Sequence, residues 1–160
     1  KQLLDEALAV LDTKFFDKRS GMSVDTFDRS FSECEEYRGI NANMHTVEAL
    51  LAAADVTGQR RWLDRAVGIA TRAIDEFARA NDWALPEHFD VDWNPLLDYN
   101  REEPNHPFRP YGATVGHWIE WARLVLHARA AATGIGAMEV RRSTARMRAI
   151  SSTIEKGLVR

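Results

Sequence analysis

Apolar residues recur every three to four positions over most of the chain, which is the period of an amphipathic α-helix. From this period we predict four helices, at about residues 1–14, 44–54, 60–80 and 114–131. The clearest stripe belongs to the third helix and contains Trp62, Ala66, Ile69, Ala70, Ala73 and Phe77. A weaker fifth pattern uses Met147, Ile150 and Ile154. The sequence therefore predicts an all-α fold built from helical hairpins.

Two long segments between the predicted helices lack this period. Residues 17–42 contain an alternation that is compatible with short strands, around Met22, Val24 and Phe27. Residues 84–112 contain all 5 prolines, and the pieces EHFDVDW and NPLLDYN predict a small hairpin there. Pro107 and Pro110 exclude a helix. Because long connections in compact domains are usually functional, we expect the chemistry where these loops meet the helix starts.

Composition and charge are those of an ordinary globular protein. The 160 residues carry 21 Lys and Arg against 24 Asp and Glu, a net charge of -3, and 45% of them are hydrophobic. No apolar run approaches the roughly 20 residues that span a bilayer, and the first residues lack the layout of a signal peptide. Cys34 is the single cysteine, which excludes an intrachain disulfide. We expect a soluble, cytoplasmic protein without membrane association.

Positive charge is concentrated near the end of the chain, in residues 134–160. The basic residues there are Arg141, Arg142, Arg146, Arg148, Lys156 and Arg160. A basic helix could contact nucleic acid, but this segment has no aromatic residue to stack on a base. The preferred interpretation is a solvated face or a patch that docks on an acidic surface. We therefore expect no nucleic-acid partner.

Two H-x-x-E pairs lie near the starts of predicted helices, His45 with Glu48 and His117 with Glu120. A spacing of three residues places both side chains of a pair on one helical face. An imidazole with one nitrogen held by a carboxylate is a suitable general base near neutral pH. The helix around His117 and Glu120 is apolar or aromatic on both sides, which predicts burial on both sides, so we expect this pair to face an interior cavity. The alternative is a structural His–Glu hydrogen bond inside a helical core.

A metal site is another alternative for these two pairs, since two His and two Glu on facing helices can bind a divalent ion. The di-iron pattern, however, runs Glu-x-x-His, which is the reverse of the order here, and it needs further glutamates. We therefore expect no metal. His88 and His106 lie in the proline-rich segment and are candidates for ligand contact, whereas a structural role is simpler for His127.

Polar and aromatic side chains precede both histidines of these pairs. Tyr37, Arg38, Asn41 and Asn43 come before His45. Phe108, Arg109 and Tyr111 come before His117, with Trp83 and Trp93 upstream. Asn and Arg side chains hydrogen-bond hydroxyl groups, and aromatic rings cover the apolar faces of sugar rings. The mixture favours a polyhydroxylated ligand, with Arg38 as a candidate contact, although packing at loop–helix junctions is the alternative interpretation.

Three segments resemble the N-acylglucosamine 2-epimerase superfamily, namely YRGINANMHTVEALLAA, PEHFDVDWNPLLDYN and PFRPYGATVGHWIEWARLVL. Within that superfamily the bacterial mannose isomerases and related aldose–ketose isomerases are the most similar branch, followed by the cellobiose 2-epimerases. The resemblance covers about residues 1–131. The motifs N-x-N-M-H-x-x-E-A and G-H-x-x-E-W-A-R-L are specific to it, and they occur here in order.

The resemblance implies an (α/α)6 toroid of six helical hairpins with its active site in the central cavity, and no redox or metal cofactor. His117 is similar to one of the two acid/base histidines of the family, and Glu120 to the carboxylate near the reacting end of the sugar. Asn41 and His45 resemble cavity residues that hydrogen-bond sugar hydroxyls. Phe108 resembles an aromatic residue that contacts the sugar ring.

The family chain is more than twice as long as this one. The resemblance therefore implies an incomplete barrel of about five helices of twelve. Residues 1–131 form the partial barrel, and 132–160 are a weakly matching basic C-terminal helix of the same domain. A sugar-binding arginine and tyrosine are expected before Lys1, and the second acid/base histidine beyond Arg160. Five helices cannot close a ring, so we expect surfaces meant for neighbours to be exposed or covered by another copy.

The resemblance implies a sugar isomerase that abstracts the proton at C2 and proceeds through a cis-enediolate, with mannose to fructose as the preferred reaction. One alternative is a sugar 2-epimerase of the N-acylglucosamine or cellobiose type. Another is a non-catalytic fragment that binds sugar. In each case the expected partner is a monosaccharide or a disaccharide.

Overall fold

The computed structural model describes residues 2–133, and this part of the chain is mainly helical. The four helices are α1 (Gln2–Val10), α2 (Ile40–Thr57), α3 (Arg60–Thr71) and α4 (Val115–Thr133). Wider π-helical stretches extend α1 over Leu11–Phe15 and α3 over Arg72–Ala78. All four predicted helices in the described residues are confirmed, and so is the all-α class. The weaker fifth pattern and the basic segment lie outside the described residues.

Helix α2 is longer at both ends than the predicted range 44–54. Its first turns contain Asn41 and Asn43, which interrupt the apolar stripe. Asn43 is nevertheless completely buried, because its amide hydrogen-bonds the backbone of Ser23 and Gly39. A polar residue can occupy a core position when its side chain is hydrogen-bonded. The period of hydrophobic residues along the sequence does not reveal such a buried polar residue.

Four short strands lie in the two long segments. Strand β1 (Phe16–Asp17) pairs antiparallel with β2 (Met22–Ser23), which confirms the strand predicted around Met22. Strand β3 (Arg38–Gly39) pairs antiparallel with β4 (His88–Phe89), with Arg38 opposite Phe89. The hairpin predicted within residues 84–112 is confirmed only in part. Phe89 forms a single bridge to Pro95, whereas the main partner of β4 is the distant strand β3.

The core lies where α2, α3 and α4 pack against one another in pairs. Its completely or almost completely buried members include Ile40, Val47, Leu50, Trp62, Ala66, Ile69, Trp121 and Leu124. Helix α4 was predicted to be buried on both sides, and this is wrong, because Ile119 is 60% exposed while Trp118 and Trp121 are buried. Among the described helices, none combines the length and apolar character that crossing a membrane requires.

The chain turns between α2 and α3 in a very short connection. Gly58 adopts a φ of 67°, and its N–H bonds the carbonyl of Ala54, which is the usual left-handed end of an α-helix. The two long segments lie at the opposite end, where the β3–β4 pair joins them. This pairing brings the start of α2 next to the residues that precede α4. The two long segments and the starts of α2 and α4 therefore lie together at this end of the molecule.

Candidate active site

The imidazole of His117 lies in the first turn of α4 and is held by a buried glutamate. Its Nδ1 is 3.1 Å from Oε1 and 3.0 Å from Oε2 of Glu87. The side chain of Glu87 is 4% exposed and that of His117 is 28% exposed. A carboxylate accepts hydrogen bonds, so Nδ1 carries a hydrogen and Nε2 is the nitrogen that can exchange a proton. The bond to Glu87 raises the pKa of His117 above its ordinary value, although partial burial opposes this.

Glu87 also fixes the start of α4. The backbone N–H of Thr114 donates to Oε1 of Glu87 over 3.0 Å, so the carboxylate lies at the positive end of the helix dipole. The carbonyl oxygen of Glu87 accepts the N–H of Ile40, the first residue of α2. One residue thus joins both helix starts. Sequence reasoning missed Glu87 because it lies 30 positions before His117, and local spacing does not show such a pairing.

Glu120 does not hold His117, so the predicted bond between them is wrong. The carboxylate of Glu120 accepts a hydrogen bond of 3.0 Å from Nε of Arg123 instead. This bond and the charge of Arg123 lower the pKa of Glu120. A spacing of three residues places Glu120 on the same helical face as both His117 and Arg123. The guanidinium of Arg123 therefore competes with the imidazole of His117 for the carboxylate.

His45 and Glu48 do approach each other, with 3.4 Å between Nδ1 and Oε2, and both side chains are at least half exposed. Glu48 also accepts a hydrogen bond of 2.8 Å from Arg123. Arg123 therefore links α2 to α4 by bonding one carboxylate from each helix. Through it the structure brings Glu48 and Glu120 together on an open face, and His45 is near enough to lower the pKa of Glu120. Neither His45 nor His117 is sealed in the core.

The remaining candidate contacts lie in different surroundings. Arg38 is 8% exposed, and its guanidinium donates to the backbone carbonyls of Glu35 and Tyr37, so it fastens the segment before α2. Asn41 is half-buried in the first turn of α2, one turn before His45 on the same face. Phe108, in the proline-rich segment, is 84% exposed.

Within residues 2–133, no three His, Cys, Asp or Glu side chains converge as metal ligands.

Comparison with known proteins places this arrangement in one family. The model of the N-acylglucosamine 2-epimerase (GlcNAc 2-epimerase) family matches residues 1–156. The chain belongs to the N-acylglucosamine 2-epimerase family. The resemblance stated from the sequence is thereby confirmed.

Curated relatives of this family member include two D-mannose isomerases. The protein of Thermobifida fusca is 50% identical over 131 residues, which are 82% of this chain and 32% of that protein. The protein of Pseudomonas cannabina pv. alisalensis is 50% identical over 129 residues, covering 81% of this chain and 31% of that protein. The chain thus spans about a third of the length of these relatives.

Solved structures show the same likeness. A crystal structure of D-mannose isomerase matches with a TM-score of 0.74 and 37% identity, over 78% of this chain and 32% of that one. The cellobiose 2-epimerase from Spirochaeta thermophila DSM 6192 matches with a TM-score of 0.73 over 96% of this chain and 37% of that one. At 18% identity this second likeness shows the fold alone. The epimerase-family member therefore has the fold of the corresponding third of these enzymes.

Proposed function

We propose that this chain is part of an aldose–ketose isomerase that converts mannose to fructose, with His117 as an acid/base group. The observation that carries the proposal is the His117–Glu87 pair, in which a half-buried imidazole is held by a buried carboxylate at a helix start. Identity of 50% to two D-mannose isomerases supports the choice of sugar. Other family members act on other sugars, as the cellobiose 2-epimerase shows.

The reaction follows from the state of His117. In the open-chain aldose, neutral Nε2 takes the C2 proton, and the electron pair moves into a C1–C2 double bond while the carbonyl oxygen becomes an enediolate oxyanion. His117 then carries a positive charge, which Glu87 stabilises at Nδ1. Return of the proton to C1, with transfer of the C2 hydroxyl proton to O1, gives the ketose. Return of a proton to C2 from the opposite face, with the C1 carbonyl re-formed, gives the epimer. The face of the enediolate that the acid reaches decides between the two products.

Substrate contacts are proposed for residues around this imidazole. We assign hydroxyl binding to Asn41 and His45 on α2, and ring contact to the exposed Phe108. For Arg38 we propose an indirect role in substrate binding. Its guanidinium already donates to backbone carbonyls, so it holds the loop before α2 in place. Glu120 is kept ionised by Arg123, so it acts as an acceptor for a sugar hydroxyl and not as a proton donor.

The wider architecture is part of the same proposal. Residues 1–131 form a portion of an (α/α)6 barrel, and 132–160 continue the same domain. The long loops of one end, joined by β3 and β4, surround the mouth of the central cavity. The remaining helices of the ring come from further parts of a longer protein or from a second copy, since the described helices leave apolar side chains such as Val56 and Ile119 exposed.

The test is incubation of mannose in deuterated water with the purified longer protein that contains this chain. We expect fructose that carries solvent deuterium at C1, and we expect His117→Ala to lower the rate by about 10²–10⁴-fold, the usual contribution of a general acid or base. His127→Ala is the matched control, because His127 lies on the same helix but is exposed and remote from Glu87. Its rate should match that of the unaltered chain.

Other outcomes separate the alternatives. Glucose labelled at C2 in place of fructose identifies a 2-epimerase. Sugar binding by that longer protein with neither product nor label identifies a non-catalytic sugar-binding protein and overturns the isomerase assignment. Full activity in His117→Ala overturns the role of His117 whichever product forms.

A further inference from the structure

His88 follows Glu87 directly, is 4% exposed, and uses both ring nitrogens. Nε2 is 2.8 Å from the carbonyl oxygen of Pro110, and Nδ1 is 2.8 Å from the hydroxyl of Tyr37. A carbonyl can only accept, so the hydrogen lies on Nε2, and Nδ1 of the neutral ring accepts the O–H of Tyr37. Burial lowers the pKa of His88, which favours this neutral ring. The surroundings thus specify one charge state and one tautomer.

The groups around His88 are themselves held. The rings of Tyr37 and Tyr99 lie 5.8 Å and 4.8 Å from the imidazole. Arg109 covers Tyr37 at 3.9 Å and bonds both carboxylate oxygens of Glu35 over 2.7 Å. The charged groups that face the His88–Tyr37 pair are therefore Arg109, Glu87 and Asp25. His88 cannot move without disturbing both long segments.

The segment between Pro110 and Thr114, which we name the strap, is held at its two ends by consecutive residues. His88 bonds the carbonyl of Pro110 over 2.8 Å, and Glu87 bonds the N–H of Thr114 over 3.0 Å. Between them Gly112 has a φ of 85°. A cavity of about 130 Å³ lies beside the strap at Gly112. Between the two ends, the N–H of Tyr111 donates to the carbonyl of Pro104 over 3.3 Å. The strap is therefore open beside Gly112, and its two end bonds join it to the segment that carries Glu87 and His88.

We propose that His88 is a positioning residue for His117 that acts through the strap. Anchoring of Pro110 by His88 holds Thr114 where its N–H reaches Glu87, and the same carboxylate holds Nδ1 of His117. Without that anchor the strap shifts toward the cavity, the start of α4 loosens, and Glu87 no longer keeps His117 in one tautomer. The proposal rests on the proposed function for its catalytic meaning, whereas the geometry it concerns is measurable without turnover.

The test is histidine nitrogen NMR on the whole chain, labelled with ¹⁵N-histidine, as a function of pH. In the unaltered chain, we expect the neutral ring of His88 to show a single Nε2–H tautomer, while His117 titrates above its ordinary pKa of about 6.5. His88→Phe keeps the ring and removes both bonds. We expect it to move the pKa of His117 down by about half a unit or more, toward that ordinary value.

Two further variants separate positioning from simple loss of packing. His88→Gln provides an amide N–H for Pro110 and an amide oxygen for Tyr37, so it should restore at least half of the shift. Tyr37→Phe removes the bond at Nδ1 and keeps the bond from Nε2–H to Pro110, so it should leave the tautomer of His88 and the raised pKa of His117 in place. His127→Phe is the matched control on α4 and should leave the titration of His117 unchanged.

The proposal is overturned if folded His88→Phe leaves both the pKa of His117 and the tautomer of its ring unchanged, or if Tyr37→Phe changes them as much as His88→Phe does. It is also overturned if His88 of the unaltered chain carries hydrogen on Nδ1. That tautomer measurement decides the matter even where His88→Phe does not fold. Absence of isomerase activity in the longer protein that contains this chain, together with the expected NMR shifts, contradicts the proposed function and leaves the positioning role established.

Discussion

At the scale of single residues, the partner of a charged group is decided by every neighbour within reach and not by sequence spacing. His117 and Glu120 have the spacing of a bonded pair, yet Arg123 takes Glu120 and the distant Glu87 takes His117. Both histidines of the two H-x-x-E pairs were found from sequence. Glu87, which controls the ionisation of one of them, was not.

Glu87→Gln removes the charge at Nδ1 of His117 but retains an oxygen for the N–H of Thr114. Because Glu87 raises the pKa of His117 in the folded chain, the stabilisation it gives is full below about pH 6.5 and is lost as pH rises through the raised pKa. We therefore expect the variant to be less stable than the unaltered chain by about 1–3 kcal/mol near pH 5.5. The difference in the free energy of unfolding between the two proteins should become smaller near pH 8.5. Urea unfolding at both pH values measures this difference. A gap that widens with pH contradicts the assignment.

Asn43 is the residue whose role changed most between sequence and structure. It was grouped with ligand contacts, but its amide accepts the N–H of Ser23 over 2.7 Å and donates to the carbonyls of Ser23 and Gly39. Asn43→Ala leaves these buried groups without partners. We expect a loss of about 1–3 kcal/mol in the free energy of unfolding. Asn41→Ala, two positions earlier and half-buried, should change it by about 0.5 kcal/mol or less.

At the scale of elements, helices were predicted well because their signal is local. The stripes of α3 and α4 repeat over several turns, so their ranges needed no tertiary information. The pairing of β3 with β4 joins positions some fifty residues apart, as the register of Gly39 with His88 shows. Two-residue strands have no period to detect, and only the packed loops decide which of them pair.

Two glycines test how backbone conformation differs between a loop and a helix. Gly112 in the strap has a φ of 85°, and Gly68 lies on the exposed side of α3; a Cβ at either site meets nothing within 4 Å. Gly112→Ala should cost about 1–2 kcal/mol, since a side chain strains this left-handed backbone. Gly68→Ala should raise the free energy of unfolding by about 0.5–1 kcal/mol, because alanine favours the helix. Thermal unfolding of the two variants should therefore shift in opposite directions, and equal shifts contradict this account.

At the scale of the whole molecule, burial is uneven. Helices α2, α3 and α4 contribute most of the core, whereas Leu8 is the buried residue of α1. An apolar groove between α1 and α2 is open to solvent, with a volume of about 370 Å³. Leu3 and Val56 are 79% and 76% exposed. The expectation that the chain leaves apolar surface exposed is met in this region, and it agrees with a chain that spans about a third of its relatives.

Amide hydrogen exchange should reflect this distribution. Backbone hydrogens near Leu50 in α2 and Ile69 in α3 lie in the core, so they should exchange only through extensive unfolding. Those of α1 should exchange at least about tenfold faster, because so little of that helix is buried. Exchange measured by mass spectrometry on peptides from α1 and α2 decides this, and equal protection of the two helices contradicts it.

The sequence by itself determined the helical class, the approximate positions of four helices, the family, and the candidate histidines His45 and His117. Each of these depends on a local hydrophobic period or on a short motif. The tertiary structure decided that Glu87 holds His117, that Arg123 joins Glu48 to Glu120, and that His88 anchors Pro110. These contacts join side chains from separate segments. Their geometry exists only after α2 and α4 have packed and the two long loops have paired, since distance in space and not spacing along the chain sets hydrogen bonds and pKa values.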